Sequence, residues 1–364
     1  MTGHNPGMSV TGHTRSTTAA SDPRGTQRKP ASIRDVAQVA GVSYQTVSRV
    51  INGHPSVKAE TRRRVEEAVE QLGFRRNATA LALASGVTRT VTVLTSDTVL
   101  YGYAATLRGL EEAARAAGYS VGVRVLTPED DLSRTISAAT GTGGGIMVIG
   151  FDRLGAAALD HVPSDAPCVA AVEAPAPGRT PSRPAVWVDD RAAARTATEY
   201  LLGLGHSTVH YVALPPSTGS RRSAAPRAEG WRQALMDAGV TPPPPTGRGW
   251  DARAGYDAGR ELARDPSVTA VLCGNDDLAL GVLRALHHAG RAVPGDVSVI
   301  GFDDAPHSAF VTPSLTTVRL DFGGLGRAAF DLLRAQLEHG HRPLDPAPDD
   351  PELVRRESTG ARRA

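Results

Sequence analysis

The sequence predicts an α/β protein with a small all-helical domain at its N-terminal end. From Thr90 onward, short apolar runs alternate with amphipathic segments of helical period, which is typical of parallel sheets covered by helices on both faces. Before Thr90 the pattern has only the helical period, and Gly41 interrupts it with a backbone that permits a sharp reversal. The 364 residues are enough for two or three domains.

Residues 1–30 are predicted to form a disordered N-terminal tail. They are rich in Thr, Ser, Gly, His and Arg, they lack the apolar core of a secretory signal, and Met8 is an alternative start. No apolar run in the chain reaches transmembrane length, and Cys168 and Cys273 have no CxxC partner. We therefore expect a cytoplasmic protein with reduced thiols and no membrane partner.

Residues 31–75 are predicted to form a helix-turn-helix domain with a third helix. Ser32 and Asp35 have the spacing of a helix N-terminus, at which a hydroxyl and a carboxylate satisfy unpaired backbone donors. Gly41 permits the reversal, and Ser43 can cap the second helix. The apolar residues of helical spacing, which we expect to face inward, are Val36, Ala37, Ala40, Val47 and Val50.

The second helix of this domain carries its polar side chains at its start and on its outer face. Glutamine and arginine are residue types that pair well with purine edges in the major groove. We therefore predict Tyr44, Gln45 and Arg49 as base contacts. An ordinary amphipathic helix pair is the alternative explanation of the same pattern.

The third helix is predicted over residues 59–72, with an apolar stripe that closes the core. Arg62, Arg63 and Arg64 lie near its start and are candidates for phosphate contacts, with an ordinary solvated face as the alternative. Up to Gly86 the chain has 12 Lys and Arg against 6 Asp and Glu, whereas the remainder has 28 against 32. This uneven charge favours a polyanionic partner for the N-terminal part.

The run DVAQVAGVSYQTVSRVIN resembles the DNA-reading unit of the lactose and galactose repressor family of bacterial transcription factors. The resemblance implies a homodimer that binds a palindromic operator in double-stranded DNA. In that family a serine commonly caps the third helix, and here Lys58 stands in its place, so we expect a weaker cap.

The segment 76–87 is similar to the family's hinge helix, which is implied to form when two subunits meet on DNA. By that match Leu83 is an apolar wedge in the minor groove, and Asn77 and Ala80 lie against the groove. Family members usually have a proline where this chain has Arg76. The full set of predicted DNA contacts is Ser32, Ser43, Tyr44, Gln45, Thr46, Ser48, Arg49, Asn52, Arg62, Asn77, Ala80 and Leu83.

The strands expected after Thr90 are, in chain order, TVTVLT, YSVGVRVL, GGGIMVIG, PCVAAV, AVWVDD, TVHYVAL, TAVLCGND and DVSVIGFDD. The helices expected between them cover residues 104–117, 192–204, 228–238, 254–263 and 278–289. The family resemblance implies that residues 88–364 form an effector-binding and dimerisation domain with two lobes, similar to periplasmic sugar-binding proteins. It also implies that the chain crosses between the lobes near Val188, Val318 and His339.

Polar side chains follow several of these apolar strands, at the edge where α/β proteins bind ligands. Ser96, Asn275, Asp276, Asp303 and Asp304 occupy such positions. Together with Arg227, Trp250 and Phe322 they provide polar partners for hydroxyl groups and an aromatic face for a sugar ring. The alternative is that Asp276 and Asp304 are helix caps and that Trp250 belongs to the core.

The resemblance extends this cleft to the other lobe, where Leu100, Gly102, Tyr103 and Thr106 match its apolar side. The chain departs from the family at Pro175, which replaces an acidic sugar ligand and leaves only Glu173 nearby, and at Leu320, which replaces a polar residue. The predicted effector-binding set is Ser96, Leu100, Gly102, Tyr103, Thr106, Glu173, Arg227, Trp250, Asn275, Asp303 and Phe322.

The sequence therefore predicts a nucleoid-associated transcriptional repressor that a sugar or glycoside releases from its operator. A nucleobase or a protein co-repressor that strengthens operator binding is the alternative effector. A sugar-transport component is disfavoured by the helix-turn-helix, and an enzyme by the lack of a nucleophile elbow, an HExxH motif or a phosphate loop. We expect no catalytic residues, cofactor or metal, and dimers rather than tetramers because no heptad-patterned tail follows LVRRESTG.

Overall fold

The computed structural model describes residues 31–51, 54, 56–74, 89–141, 143–175, 178, 181, 183–215, 225–340 and 350–362. The chain divides into two compact units, Met1–Leu81 and Ala82–Ala364, which we name the helical unit and the α/β unit. The tail predicted at 1–30 and the hinge predicted at 76–87 lie outside the described residues.

The helical unit contains the helix-turn-helix and the third helix. The helices are α1 Ile33–Ala40, α2 Tyr44–Ile51 and α3 Ala59–Leu72. The Ser32 hydroxyl accepts a hydrogen bond from the Asp35 backbone N–H (3.3 Å), and the Asp35 carboxylate accepts one from the Ser32 backbone N–H (2.7 Å). Gly41 ends α1 with a φ of 63°, a value that a residue with a Cβ rarely adopts. The predicted start and end of α1 are therefore confirmed.

The two remaining helices of this unit differ in how they begin. The Ser43 hydroxyl accepts a hydrogen bond from the Thr46 backbone N–H (3.2 Å), whereas Lys58 makes no side-chain cap at the start of α3. The weaker cap expected at Lys58 is confirmed. The side chains buried between the three helices are Val36, Ala40, Val47, Val50, Val65 and Ala68.

The first sheet of the α/β unit is parallel, with the strand order β2-β1-β3-β4-β5. Its strands are β1 Thr90–Thr95, β2 Ser120–Val125, β3 Gly145–Gly150, β4 Cys168–Val172 and β5 Ala185–Val186. The helices between them are α4 Tyr101–Ala116, α5 Leu132–Thr140 and α6 Arg153–His161. Every residue of β3 is buried, as expected for a central strand covered on both faces.

The second sheet has the strand order β10-β9-β8-β7-β6, and β10 alone among these strands runs antiparallel to its neighbour. Its strands are β6 His210–Val212, β7 Ala270–Cys273, β8 Ser298–Asp303, β9 Thr316–Arg319 and β10 Glu352–Val354. The accompanying helices are α7 Asp190–Gly203, α8 Pro226–Asp237, α9 Ala252–Leu262 and α10 Asp276–His288, with a 3₁₀ turn at Pro306–Ala309.

The chain passes between the two sheets as the family resemblance implies. It leaves the first sheet through residues 187–189, and after β9 it returns into α11, Phe322–His339, which packs on α4 and on the first sheet. Residues 341–349, which precede β10, lie outside the described part of the chain. The predicted α/β fold with two lobes and parallel sheets is confirmed.

Several element boundaries differ from the sequence prediction. Helix α4 begins three residues earlier than expected, and α7 to α10 each begin two residues earlier. The caps of α7, α9 and α10 are Asp189, Asp251 and Asn275, which stand before the apolar pattern begins. Helices α5, α6 and α11 are absent from the sequence prediction, and in α11 the glycines of the first turns oppose helix formation in isolation.

Those glycines allow α11 and α4 to approach closely. A Cβ at Gly326 would lie 2.0 Å from the Thr106 carbonyl oxygen, and a Cβ at Gly109 would lie 2.0 Å from the Gly323 carbonyl oxygen. Tertiary packing therefore stabilises a helix that its local sequence disfavours.

Candidate functional site

The outer face of α2 is polar and open to solvent. Tyr44 is 52% exposed, and Gln45 and Arg49 are also exposed, while Thr46 and Ser48 are half-buried. Val47 and Val50 anchor the opposite face of the same helix in the core. The helix thus presents side chains suited to base edges on one face and holds its position with the other.

The three arginines at the start of α3 have different partners. Arg62 is half-buried and donates to the His54 carbonyl oxygen (2.9 Å). Arg63 is held by the carboxylates of Glu60 and Glu67, which are 2.8 and 2.7 Å away. Arg64 donates to the carbonyl oxygens of Ala40 and Gly41 at the end of α1. All three arginines thus have partners within the helical unit, and Arg62 stays the predicted phosphate contact.

The rest of the predicted DNA-contact set falls into two groups. Ser32 and Ser43 are exposed, and both hydroxyls cap helices. The remaining predicted contacts, Asn52, Asn77, Ala80 and Leu83, lie outside the described residues.

A cavity in the α/β unit lies at the carboxyl ends of strands from both sheets. It encloses about 520 Å³ when its open mouth is counted. The predicted effector-binding residues that line it are Leu100, Gly102, Tyr103, Glu173, Arg227, Trp250, Asn275, Asp303 and Phe322.

Ser96 and Thr106 were also predicted to contact the effector, but neither lines this cavity. The Ser96 hydroxyl donates to Asp152 Oδ2 (2.5 Å), at the start of α6. The Thr106 hydroxyl is fully buried and donates to the Gly102 carbonyl oxygen (2.7 Å) within α4. Both hydroxyls are thus engaged by neighbouring structure in this conformation.

Arg227 is the central charged group of the cleft and is 8% exposed. Its Nε donates to Asp190 Oδ1 (2.9 Å), its Nη1 donates to the Gly274 carbonyl oxygen, and its guanidinium lies 4.6 Å from the centre of the Phe302 ring. Burial lowers the pKa of Arg227, but the adjacent carboxylates of Asp190 and Asp303 outweigh it, so the pKa is raised overall. The guanidinium stays charged and ties α7 and α8 to the end of β7.

Asp303 is the last residue of β8 and is 8% exposed. Its Oδ1 lies 3.3 Å from Arg227 Nη1, but the alignment is too poor for a hydrogen bond, so this oxygen has no hydrogen-bond partner. Its φ is 107°, which a residue with a Cβ adopts only under strain of about 1–3 kcal/mol. Burial raises the pKa of Asp303 well above its usual range, against the lowering effect of Arg227.

Two residues of the cleft, Asn275 and Trp250, also have structural roles, and for Trp250 this is the alternative considered from the sequence. Asn275 lines the cavity and also caps α10, because its Oδ1 accepts from the Leu278 backbone N–H (2.8 Å) while its Nδ2 donates to the Trp250 carbonyl oxygen (2.9 Å). Trp250 both lines the cavity and packs against the apolar core.

The two aspartates proposed as possible helix caps serve instead as tertiary acceptors. The Asp276 carboxylate accepts hydrogen bonds from Ser308 (2.6 Å), Thr317 (2.6 Å) and the Ala305 backbone (2.8 Å). Burial raises the pKa of Asp276 to about 6, despite these three hydrogen bonds. The two oxygens of Asp304 pair with Arg319 (2.8 Å) and Arg356 (2.6 Å).

The apolar side of the cleft is built from aromatic rings of the first lobe and α11. Phe151 packs at 5.2 Å from the Tyr103 ring and at 5.9 Å from the Phe322 ring, measured between ring centres. A Cβ at Gly102 would lie 3.0 Å from the Phe322 ring, so the glycine lets α4 approach that ring. The lining residues that sequence reasoning missed are Tyr101, Phe151, Val172, Val188, Asp190 and Leu214.

The described residues contain no group of three or more His, Cys, Asp or Glu side chains that could hold a metal ion. Among the helices that the structure describes, none combines the length and apolarity needed to cross a membrane.

Comparisons with known proteins agree with this arrangement of units. Residues 32–77 match the family model of bacterial regulatory proteins, lacI family, and residues 198–359 match that of a periplasmic binding protein-like domain. The chain is 32% identical over 317 residues to the lactose operon repressor of Escherichia coli (strain K12), and the match covers 86% of each chain.

Solved structures show the same likeness. A crystal structure of the lac repressor dimer bound to operator and the anti-inducer ONPF matches with a TM-score of 0.79 and 30% identity, over 92% of this chain and 100% of that one. A complex of the transcriptional regulator CelR with cellobiose matches with a TM-score of 0.64 and 27% identity, over 90% of this chain and 99% of that one. The chain belongs to the lacI family of bacterial regulatory proteins.

Proposed function

We propose that this protein is a transcriptional repressor that binds a palindromic operator as a homodimer and is released by a sugar or glycoside. One observation carries the proposal. Nine residues selected from the sequence as effector contacts, spread from Leu100 to Phe322, line one cavity in the α/β unit. The lacI-family helix-turn-helix supplies the DNA-reading half of the function.

In this proposal α2 enters the major groove, and Tyr44, Gln45 and Arg49 contact base edges. Arg62 contacts a phosphate and positions the domain. The related structures support the partners, since one contains a repressor dimer on its operator and another contains cellobiose. Effector binding favours one arrangement of the two lobes and lowers operator affinity, with a coupling free energy of about 1–3 kcal/mol.

The proposed place of action is the cytoplasm, at the nucleoid, and the proposed role of the cleft is binding without turnover. The matched relatives are transcriptional regulators. A protein of this kind needs a ligand that dissociates unchanged, so incubation with a sugar panel should leave every sugar intact. Conversion of any sugar by the purified protein would contradict this part of the proposal.

Selection of bound sites from a random duplex pool tests the proposal directly. The full chain should enrich a palindrome at low ionic strength, and addition of the correct sugar should reduce its recovery. Enrichment of no palindrome would contradict the DNA-binding half. The same assay with purines in place of sugars tests the co-repressor alternative, in which recovery would rise.

A titration calorimetry experiment assigns the effector to the cleft. Trp250→Ala should abolish sugar binding because Trp250 lines the cavity, whereas Phe310→Ala should not, because Phe310 is 86% exposed and lies outside the lining. Purine binding that survives Trp250→Ala would overturn the sugar assignment.

A further inference from the structure

The backbone at the end of β8 is strained at two consecutive residues. Asp303 has a φ of 107° and Asp304 has a φ of 53°, and both carry a Cβ. Aspartate tolerates the left-handed region better than most residues do, but the φ of Asp303 lies beyond that region. Such strain persists only where the surrounding structure holds the residue in place. The contacts of these two aspartates therefore show what fixes the wall of the cleft at this point.

The Asp303 side chain lines the cavity and has one charged neighbour. Its ion pair with Arg227 spans 3.3 Å, and its Oδ1 has no hydrogen-bond partner among the described residues. A charged pair without a well-aligned hydrogen bond does little to fix the direction of a side chain. The place of this carboxylate in the cleft therefore depends on the backbone that carries it.

Asp304, the next residue, is held from two sides. Its Oδ1 accepts a hydrogen bond from Arg356 Nη2 (2.6 Å), and its Oδ2 accepts one from Arg319 Nε (2.8 Å). The Arg356 side chain is 17% exposed, whereas that of Arg319 is 50% exposed and is shared with Glu352. Because water screens an exposed pair, Arg356 is the stronger of the two anchors.

Arg356 is itself fixed by contacts that do not involve Asp304. Its Nη1 donates to the Leu315 carbonyl oxygen (2.8 Å), and its backbone N–H donates to the Thr316 hydroxyl (2.9 Å). The residue stands two positions after β10, which pairs with β9. Arg356 is not among the residues that line the cavity. The segment after β10 thus brings an immobilised guanidinium to the strained turn from outside the cleft.

We propose that Arg356 is a positioning residue for the effector: it holds Asp304, and through Asp304 it holds the Asp303 carboxylate in the cleft. The proposal rests on the proposed function, because it explains how a contact of that same site is kept in place. Without the guanidinium, Asp304 loses its main anchor and the strained backbone relaxes. The Asp303 carboxylate then leaves the position in which it meets a sugar hydroxyl.

Isothermal titration of the full chain tests this proposal. The panel is galactose, glucose, ribose and cellobiose, and the sugar that the wild type binds most tightly serves as the probe. Arg356→Met should weaken its binding about tenfold, which is the lower end of the strain that one such residue stores. Arg355→Met is the matched control and should change affinity by no more than about twofold, because Arg355 is exposed and lies over the Tyr200 ring.

A double substitution separates a positioning role from a general structural one. Asp303→Gly removes the carboxylate and also the strain, because glycine adopts a φ of 107° freely. If Arg356 acts through Asp303, then Arg356→Met should cost little further affinity in the Asp303→Gly background, so the two losses should not add. Additive losses would overturn the proposal.

A crystal structure of the Arg356→Met variant gives a readout that does not depend on a sugar. Asp303 should leave its φ of 107°, and its carboxylate should shift away from the cavity. An unchanged backbone at Asp303 and Asp304 would overturn the proposal, also where the doubly substituted protein binds too weakly for titration. If a thermal melt shows that Arg356→Met does not fold, Arg356→Lys takes its place under the same criteria, with a smaller loss because it keeps the charge.

The outcomes separate this proposal from the proposed function. Wild-type affinity in a folded Arg356→Met variant would overturn the positioning role and leave the sugar-released repressor standing. Binding of none of the four sugars by the wild type would overturn the sugar effector and the positioning role together.

Discussion

The predicted DNA-contact surface of the helical unit and the cleft of the α/β unit are built in different ways. Among described residues, the predicted DNA contacts come from one short stretch between Ser32 and Arg62, and the central ones are exposed on α2. The cleft lining is drawn from Leu100 to Phe322, and four of its polar side chains, those of Asp190, Arg227, Asn275 and Asp303, are buried. Tyr44 is 52% exposed, whereas Arg227 is 8% exposed.

In the helical unit, the side chains that we predict to bind DNA are separate from those that stabilise the fold. In the cleft of the α/β unit, the same side chains serve both purposes. A substitution at Gln45 or Arg49 would remove a predicted contact with DNA and leave the core of the helical unit intact. A substitution at Arg227 changes the cleft and also removes the ion pair that joins α8 to α7. The predictions below test this contrast.

The largest effect is expected for Arg227→Met. Removing this guanidinium leaves the buried carboxylates of Asp190 and Asp303 without a cation, and such losses reduce the free energy of unfolding by about 3–5 kcal/mol. Urea unfolding followed by tryptophan fluorescence measures it, since Trp187, Trp231 and Trp250 all belong to the α/β unit.

The matched control for this change is Arg232→Met on the same helix. Arg232 pairs with Glu229 on the surface and its side chain is 41% exposed, so its loss should be small, within about 1 kcal/mol. Equal destabilisation by both substitutions would contradict the claim that the buried ion pairs of Arg227 in the cleft stabilise the α/β unit.

The second largest effect concerns the pH dependence of the stability of the α/β unit. Burial raises the pKa of Asp276 to about 6 in the folded protein, from a reference value of 3.8. Between these values the folded state holds more protons than the unfolded state, so the contribution of Asp276 to stability falls as pH rises through this window. The shift corresponds to about 3 kcal/mol at most.

Asp276→Asn removes this titration, because an amide does not ionise. Urea unfolding from pH 4 to pH 7 should therefore show the wild type losing stability relative to the variant as the pH rises. A constant difference between the two proteins across this range would contradict the assignment.

The sequence predicts the helical unit better than the cleft for a physical reason. The Ser32–Asp35 cap and Gly41 act within a few residues, so α1 is recognisable from its own sequence. Asp190 was missed as a cleft residue because its role depends on Arg227, which lies 37 residues away. Ser96, which we predicted as an effector contact, does not line the cavity, and its hydroxyl donates to Asp152, 56 residues away.

A core substitution tests whether the small core of the helical unit also limits the stability of that unit. Val47→Ala should lower the free energy of unfolding by about 2 kcal/mol, since it removes two buried carbon groups and leaves a cavity. Val39→Ala is the matched control, because Val39 is 46% exposed and its loss should be within about 0.5 kcal/mol. Hydrogen exchange in peptides from α1 and α2 measures both, and equal exchange rates in the two variants would contradict the expected contrast.

The smallest expected effect is a gain in stability from one added helix cap. Lys58→Ser should supply the missing side-chain cap of α3 and stabilise the helical unit by about 1 kcal/mol. Lys58→Ala removes the same charge without adding a cap and should show no such gain. If alanine and serine have the same effect on hydrogen exchange in α3, the cap is not what limits this helix.

The claim that α2 reads base edges is tested most directly by the affinities of Arg49→Ala and Arg62→Ala for a selected palindromic duplex and for a scrambled one. Arg49→Ala should lose about 1–3 kcal/mol on the palindrome, confined to one base position, and should bind the scrambled duplex almost as the wild type does. Arg62→Ala should weaken binding to both duplexes alike. Equal losses on the two duplexes for Arg49→Ala would contradict the account.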